Sequence, residues 1–362
     1  MKTNMKKEDR CLRVGILGAG TISQAAHLPS SLRARNIELV ALCDVAEDLL
    51  QQMALMFHPK RVYTDYEKML KDEEIEAVII GNGDQFHVPC ALMAIEAGKH
   101  VLVEKPMGVS VEECETLAAA AKSKGLILQV GHMKRFDPGL QFVKRFIDEE
   151  IGKVTTYKGW YCDSTERYTL CDNVMPVLYS STQMKKPAGN PKENKEVYYL
   201  LGHGSHLFDT AITMMGPIVS VQANHVQQDG VYSWLIQCDF ESGAIGNLDL
   251  TVAIRAPWDE GVTIYGTNGT AYAKTYNPWE LKTSEVQCYN ETTRTMKAPY
   301  NEDGHVYRRQ LEGFAEVILN GSPQIGANAE DGTQVIRALV ATHQSVHHNG
   351  KRIYLKDVEG GL

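Results

Sequence analysis

The chain has 362 residues, 45 acidic against 37 basic for a net charge of −8, with 43% apolar and 23% charged positions. That composition excludes a disordered or fibrous chain. Without a Lys/Arg-dense stripe, the acidic balance also argues against nucleic acid or an anionic membrane as the main partner. The length suits two domains, or one large α/β unit, with a core that needs no disulfide or metal staple.

The basic start, MKTNMKKEDR, leads straight into a strand and lacks the apolar stretch of a signal peptide. No apolar run approaches the ~20 residues that span a bilayer. The expectation is a soluble, cytoplasmic protein. Eight scattered cysteines form no C-x-x-C pair and read as free thiols rather than as disulfides or a zinc site.

Strands and helices alternate through the first third. Apolar runs at 12–17, 37–43, 77–80, 100–103 and 126–130 predict buried strands. Helical patterns fill 46–57, 88–97 (stopped by Gly98) and the stretch after Ser110-Val111-Glu112-Glu113, a capping box. Continuous apolar strands separated by helices indicate a parallel sheet covered on both faces, a doubly wound Rossmann domain over residues 1–131. After a helix over 138–149, strict alternation at 154–160, 231–238, 244–250 and 262–266 predicts antiparallel strands with one open face. Helices over 205–215, 307–320 and 330–348 complete an α+β domain, residues 132–362, for substrate binding and oligomerisation. The stretch 163–196, rich in turn residues around Lys186-Pro187-Ala188-Gly189-Asn190-Pro191, reads as a functional loop.

Gly18-Ala19-Gly20-Thr21-Ile22-Ser23 follows the first strand and opens a helix, where backbone N–H groups face a pyrophosphate. Asp44 ends the second strand 24 residues after Gly20, placed for a ribose diol. No arginine follows it to receive a 2′-phosphate, so NAD is favoured over NADP. Val101-Leu102-Val103-Glu104-Lys105-Pro106 sets a lysine past the carboxyl end of a core strand, where open α/β sheets bind ligands. Pro106 restricts its backbone and admits a cis bond.

Gly15-Ile16-Leu17-Gly18-Ala19-Gly20, Ala97-Gly98-Lys99-His100 running on to Glu104-Lys105-Pro106, Arg135-Phe136-Asp137-Pro138, Ile151-Gly152-Lys153-Val154 and Gly204-Ser205-His206-Leu207-Phe208-Asp209 occur in this order. In them the chain resembles the Gfo/Idh/MocA oxidoreductases (glucose–fructose oxidoreductase and inositol dehydrogenase among them) along nearly its whole length. The resemblance implies reversible oxidation of a carbinol on a sugar, cyclitol or related polyol, with NAD as cofactor, and a homo-oligomer formed through the open sheet. Lys105 matches the family's catalytic lysine, His206 its general acid/base and Asp209 an orienting acid. The loop Asn82-Gly83-Asp84-Gln85-Phe86-His87 matches the segment beside the nicotinamide ribose, so the cofactor set is Gly18, Gly20, Thr21, Ile22, Asp44, Asn82, His87, Glu104 and Lys105.

The chain departs from the family at three places. The aspartate usual four residues before the histidine is Gly202, and His203 is the preferred substitute. Asn82-Gly83-Asp84 replaces a threonine-proline-asparagine run. Gly131-His132-Met133-Lys134-Arg135 replaces an aromatic-asparagine-arginine-arginine run.

His203, His206 and Asp209, three apart, read as acid/base and substrate groups, as a metal site, or as core histidines. His225, His305, His343, His347 and His348 read as surface or helix-face residues. The substrate-binding candidates are His132, Asp163, His203 and Asp209, with Arg167, Tyr168 and a stacking Trp160 also considered. The sequence therefore predicts an NAD-dependent dehydrogenase acting on a secondary hydroxyl of a sugar, glycoside or cyclitol, with C3 of a glucoside a specific target. The alternatives are a redox-assisted glycosidase or lyase that recycles bound NAD, and a non-catalytic NAD sensor. No metal is expected.

Overall fold

Apolar runs too short to be helices pair into a parallel sheet. In the computed structural model, which describes residues 10–166, 177–184, 193–300 and 303–362, they become β1 (Leu12–Leu17), β2 (Ile37–Cys43), β3 (Arg61–Tyr63), β4 (Ala77–Ile80), β5 (His100–Val103) and β6 (Leu128–Val130). Their order, β3-β2-β1-β4-β5-β6, is doubly wound, with the switch beside β1. β3 is absent from the sequence reading because its three residues are half-exposed or exposed and carry no apolar signal. It only extends the edge of β2.

The helices between the strands are α1 (Leu28–Arg33), α2 (Glu47–Phe57), α3 (Tyr66–Leu70), α4 (His87–Glu96) and α5 (Val111–Lys124). The capping box holds: the Glu113 amide donates to Ser110 Oγ at 3.3 Å, and Glu113 Oε1 accepts the Ser110 amide at 2.9 Å.

The second sheet begins after α6 (Pro138–Glu149) with β7 (Val154–Ser164). Then come α7 (Lys195–Tyr199), α8 (Ser205–Met215), β8 (Ile218–Gln228), β9 (Val231–Phe240), β10 (Ile245–Ile254), β11 (Asp259–Gly266), β12 (Gly269–Thr275), β13 (Glu285–Asn290) and β14 (Thr295–Lys297). α9 (Val306–Asn320), α10 (Ala329–His347) and β15 (Ile353–Tyr354) follow. The nine strands run in the order β14-β13-β12-β11-β7-β10-β9-β8-β15, with β7 and β10 parallel and the other pairs antiparallel.

Alternation decides what each face does. On β9, Tyr232, Trp234, Ile236, Cys238 and Phe240 are buried beneath helices, while Leu235 and Gln237 face out. One helix crosses over: α9 buries Leu311, Phe314 and Ala315 against Leu12, Val14 and Ile16 of β1. The chain beyond residue 132 thus supplies part of the first core.

Seven cysteines among the described residues are free thiols. Cys171, Arg167, Tyr168, the run Lys186–Pro191 and residues 1–9 lie outside the described residues. No helix among the described residues is long and apolar enough to cross a membrane.

Candidate active site

The glycine loop turns sharply because Gly18 has φ +96°, a conformation side chains disfavour. A Cβ there would fall 2.9 Å from the Gly81 carbonyl oxygen and 3.0 Å from the Asn82 amide nitrogen. Gly18→Ala therefore costs about 1–3 kcal/mol of strain, to be read as a lower urea midpoint.

At Gly20 the opposite holds: a Cβ would meet no atom of the described residues within 4 Å. The loop leaves open space in front of the helical turn Ser23–His27 that runs into α1. Asp44 Oδ2 accepts the Ala19 amide at 2.6 Å and Oδ1 the Ala46 amide at 2.8 Å, which fixes the carboxylate beside that loop.

Past β4, Asn82 Oδ1 and His87 Nε2 are buried with no partner among the described residues, while His87 Nδ1 meets the Pro106 carbonyl at 2.7 Å. Open space over the glycines, a fixed carboxylate and two orphaned polar atoms fit a dinucleotide. Part of the long stretch 163–196 crosses here. The Tyr179 amide donates to Gln24 Oε1 at 2.8 Å, and Ser181 Oγ donates to Asp48 Oδ1 at 2.6 Å.

At the end of β5, Glu104 is 4% exposed, and its Oε1 lies 3.0 Å from His27 Nε2. Burial pushes its carboxyl up, but the His27 hydrogen bond and the nearby Lys105 and His87 outweigh this and hold it below the usual range. Its Oε2 accepts the Lys105 amide at 3.1 Å. Glu104, expected to touch the cofactor, is buried and braces the Lys105 backbone. The Lys105–Pro106 bond is cis. Lys105 Nζ donates to the Gly202 carbonyl at 3.3 Å, so at the position of the missing aspartate the main chain takes the lysine.

His206, in the first turn of α8, is 7% exposed and stacks on Tyr161 of β7, with ring centroids 5.7 Å apart and planes 2° from parallel. Its ring has no hydrogen-bond partner among the described residues. Burial drives its pKa well below 6.5, and the neighbouring Lys134 and Lys105 push the same way. The same effects favour the neutral imidazole, the form a general base needs at the start of a proton transfer.

His132 meets His206 edge-on at 6.5 Å. Burial lowers its pKa as well. Beneath Tyr161, the buried Lys134 Nζ lies 4.4 Å from the ring centre and is paired with Glu260, whose Oε2 accepts Trp258 Nε1 at 3.2 Å.

The H-x-x-H-x-x-D residues do not converge. His203 sits in the helical turn Leu200–Gly204, with Nε2 3.4 Å from Asp163 Oδ2 and Nδ1 3.3 Å from the Tyr161 hydroxyl. Asp209, placed among the substrate-binding groups by sequence, is instead the bidentate partner of Arg135. Oδ1 accepts from Nε at 2.9 Å and from Nη2 at 2.7 Å, while Arg135 Nη1 donates to Asp331 at 2.8 Å. A carboxylate 2% exposed and held by a fork has little left for a substrate.

Trp160 lies apart from this cluster. Its Nε1 donates to Asp259 at 3.1 Å on the open face, and its neighbour Tyr161 is the aromatic ring of the site. His27, Tyr161, Arg135 and the Lys134–Glu260 pair were missed. Only Tyr161 had a local signal, since it shares the alternation phase of the buried Tyr157.

Residues 12–132 match the NAD-binding Rossmann fold of the Gfo/Idh/MocA oxidoreductase family, and 190–355 match that family's C-terminal α/β domain. The chain is 26% identical over 357 residues to the scyllo-inositol 2-dehydrogenase (NAD(+)) of Bacillus subtilis (strain 168), covering 95% of this chain and 96% of that one. It is 24% identical over 365 residues to the D-glucoside 3-dehydrogenase of Escherichia coli (strain K12), covering 95% and 97%. In fold it is similar to an NAD-binding oxidoreductase from Klebsiella pneumoniae, with a TM-score of 0.79 at 21% identity over 95% and 99% of the two chains.

Proposed function

The chain belongs to the Gfo/Idh/MocA oxidoreductase family, and from that premise we propose that it oxidises a secondary hydroxyl of a sugar, glycoside or cyclitol with NAD. The observation that carries this reading is a neutral, buried His206 stacked on Tyr161, its basicity tuned by Lys105 at the end of β5. NAD, when bound, supplies the hydride acceptor. Gly18, Gly20 and Asp44 would hold it, with Asn82 and His87 offering their unpartnered atoms. His206 takes the hydroxyl proton as general base, and the Lys105 ammonium stabilises the charge that builds on the carbinol oxygen. Glu104 and the Gly202 carbonyl keep Lys105 aimed. Tyr161, backed by Lys134, keeps the imidazole flat.

Within the class we favour C3 of a glucoside, the activity for which one relative that matches along nearly its whole length is named. The relatives named for a glucoside and for an inositol make both substrate types the first to try. A panel of glucosides, inositols and free sugars, each with NAD and NADP, tests this by the absorbance of the reduced nicotinamide. Reduction of NAD by at least one of them is expected. NAD binding without net reduction overturns the reading: substrate cleaved in the same panel then favours a redox-assisted glycosidase or lyase that recycles NAD, and no substrate consumed favours a non-catalytic sensor.

Asp44→Asn removes the charge from a hydrogen bond worth about 1.5–3 kcal/mol. It should raise KM for NAD by about 10-fold or more with a smaller change in kcat, measured at saturating second substrate.

The open sheet face leaves Leu235 54% and Ile245 58% exposed, which supports pairing of two copies through it. A Leu235→Lys, Ile245→Lys double variant should sediment as a monomer.

A further inference from the structure

Away from this centre, α7 and α10 bring together one carboxylate and two imidazoles that the reaction does not use. His343 and His347 stand one turn apart on a single face of α10. Glu196 reaches them from the first turn of α7. Its Oε1 lies 3.4 Å from His347 Nε2 and 3.8 Å from His343 Nδ1, and one ligand atom from each of the three residues falls within 4.8 Å of the others. Glu196 Oε1 and His343 Nδ1 are buried and have no hydrogen-bond partner among the described residues. The two atoms face each other across 3.8 Å with hydrogen-bonding capacity left over, and His347 on the half-exposed side leaves the cluster open to an incoming ion.

We propose that Glu196, His343 and His347 bind one divalent metal ion of the zinc class, with water completing the coordination. A tetrahedral ion at about 2.0–2.1 Å from nitrogen and oxygen spaces its ligands by roughly 3.3–3.4 Å; the Glu196–His347 pair already has that spacing, and the other separations must close by small side-chain shifts. Two imidazoles and a carboxylate suit zinc-class ions and are poor ligands for magnesium or calcium, which take oxygen. His225 of β8 stacks on Trp234, with ring centroids 4.4 Å apart, and borders the cluster without belonging to the ligand set.

The consequence is a clamp. α7 runs directly into the turn Leu200–Gly204, which carries His203 and the carbonyl that takes Lys105. α10 carries Asp331, the second partner of Arg135. An ion between these helices ties together the two elements that frame the site without touching the reacting atoms.

The test uses the full chain without a histidine tag, stripped with chelator and titrated with Zn2+ against a chromophoric chelator. One ion per chain is expected, with Tm rising on loading. His347→Ala should weaken binding by about 100-fold, and Glu196→Gln by about 10-fold or more, with NAD-linked turnover of the metal-free variants unchanged. Co2+ loaded into the wild-type chain should show the intense visible absorption of a four-coordinate nitrogen and oxygen site, a readout independent of whether either variant folds. Three results would each overturn the proposal: equal affinity in wild type and His347→Ala, a thiolate charge-transfer band with Co2+, or Mg2+ competing at equal concentration.

Discussion

Replacing His206 with asparagine should lower kcat for NAD-dependent oxidation by about 10²–10⁴-fold, the range that a positioned general base contributes. NAD affinity should stay within about threefold, since the imidazole lies in α8 and not in the glycine loop. The pH profile carries the more specific signature. Desolvation first, then Lys134 and Lys105, hold the His206 pKa well below 6.5. The base form is therefore already present at pH 6.5, and the acid limb of kcat/KM that belongs to His206 should fall below that value. A limb at pH 7 or above would mean that the imidazole is not the base. The same depression makes folding pH-dependent. The unfolded chain binds this proton more readily than the folded one, so the contribution is present above pH 6.5 and is lost as the pH falls toward the folded value.

The second large effect belongs to Lys105. Lys105→Met keeps the length of the side chain and removes its charge, and kcat should fall by about 10²–10³-fold, as when one donor to a developing oxyanion is deleted. Because the Lys105 ammonium helps depress the pKa of His206, the same substitution should move the acid limb upward. A merely structural lysine would not produce that shift. Unchanged turnover together with an unmoved limb would remove Lys105 from the chemistry and leave it as a tether to the Gly202 carbonyl.

At Gly202, where the family resemblance leads to an expected aspartate, the structure gives glycine a physical reading. A Cβ there would lie 3.5 Å from the Tyr198 ring, an ordinary contact, so the space does not demand glycine. The main-chain carbonyl already receives Lys105. His203, expected as the substitute, contacts Asp163 and Tyr161.

Much of the molecule was legible in the residues alone. Five of the six strands of the first sheet, the helix Pro138–Glu149, the start of α8 at Ser205 and the capping box at Ser110 follow from short-range rules that act within one or two turns of chain. The glycine loop and Asp44 were readable for the same reason: steric freedom at Gly18 and a carboxylate at a strand end are local properties.

The tertiary structure decided the partners. His27 meets Glu104, 77 residues away, and Arg135 meets Asp209 and Asp331, 74 and 196 residues away. Tyr161 rather than Trp160 faces His206 because strand alternation fixes that neighbouring side chains diverge, but not which face the helices will cover. α9 could likewise be read as a helix, but not as a helix of the first core. Periodicity and capping are energies of neighbours in sequence. Burial of a charge against its counter-charge is an energy of neighbours in space, and only the folded chain says who they are.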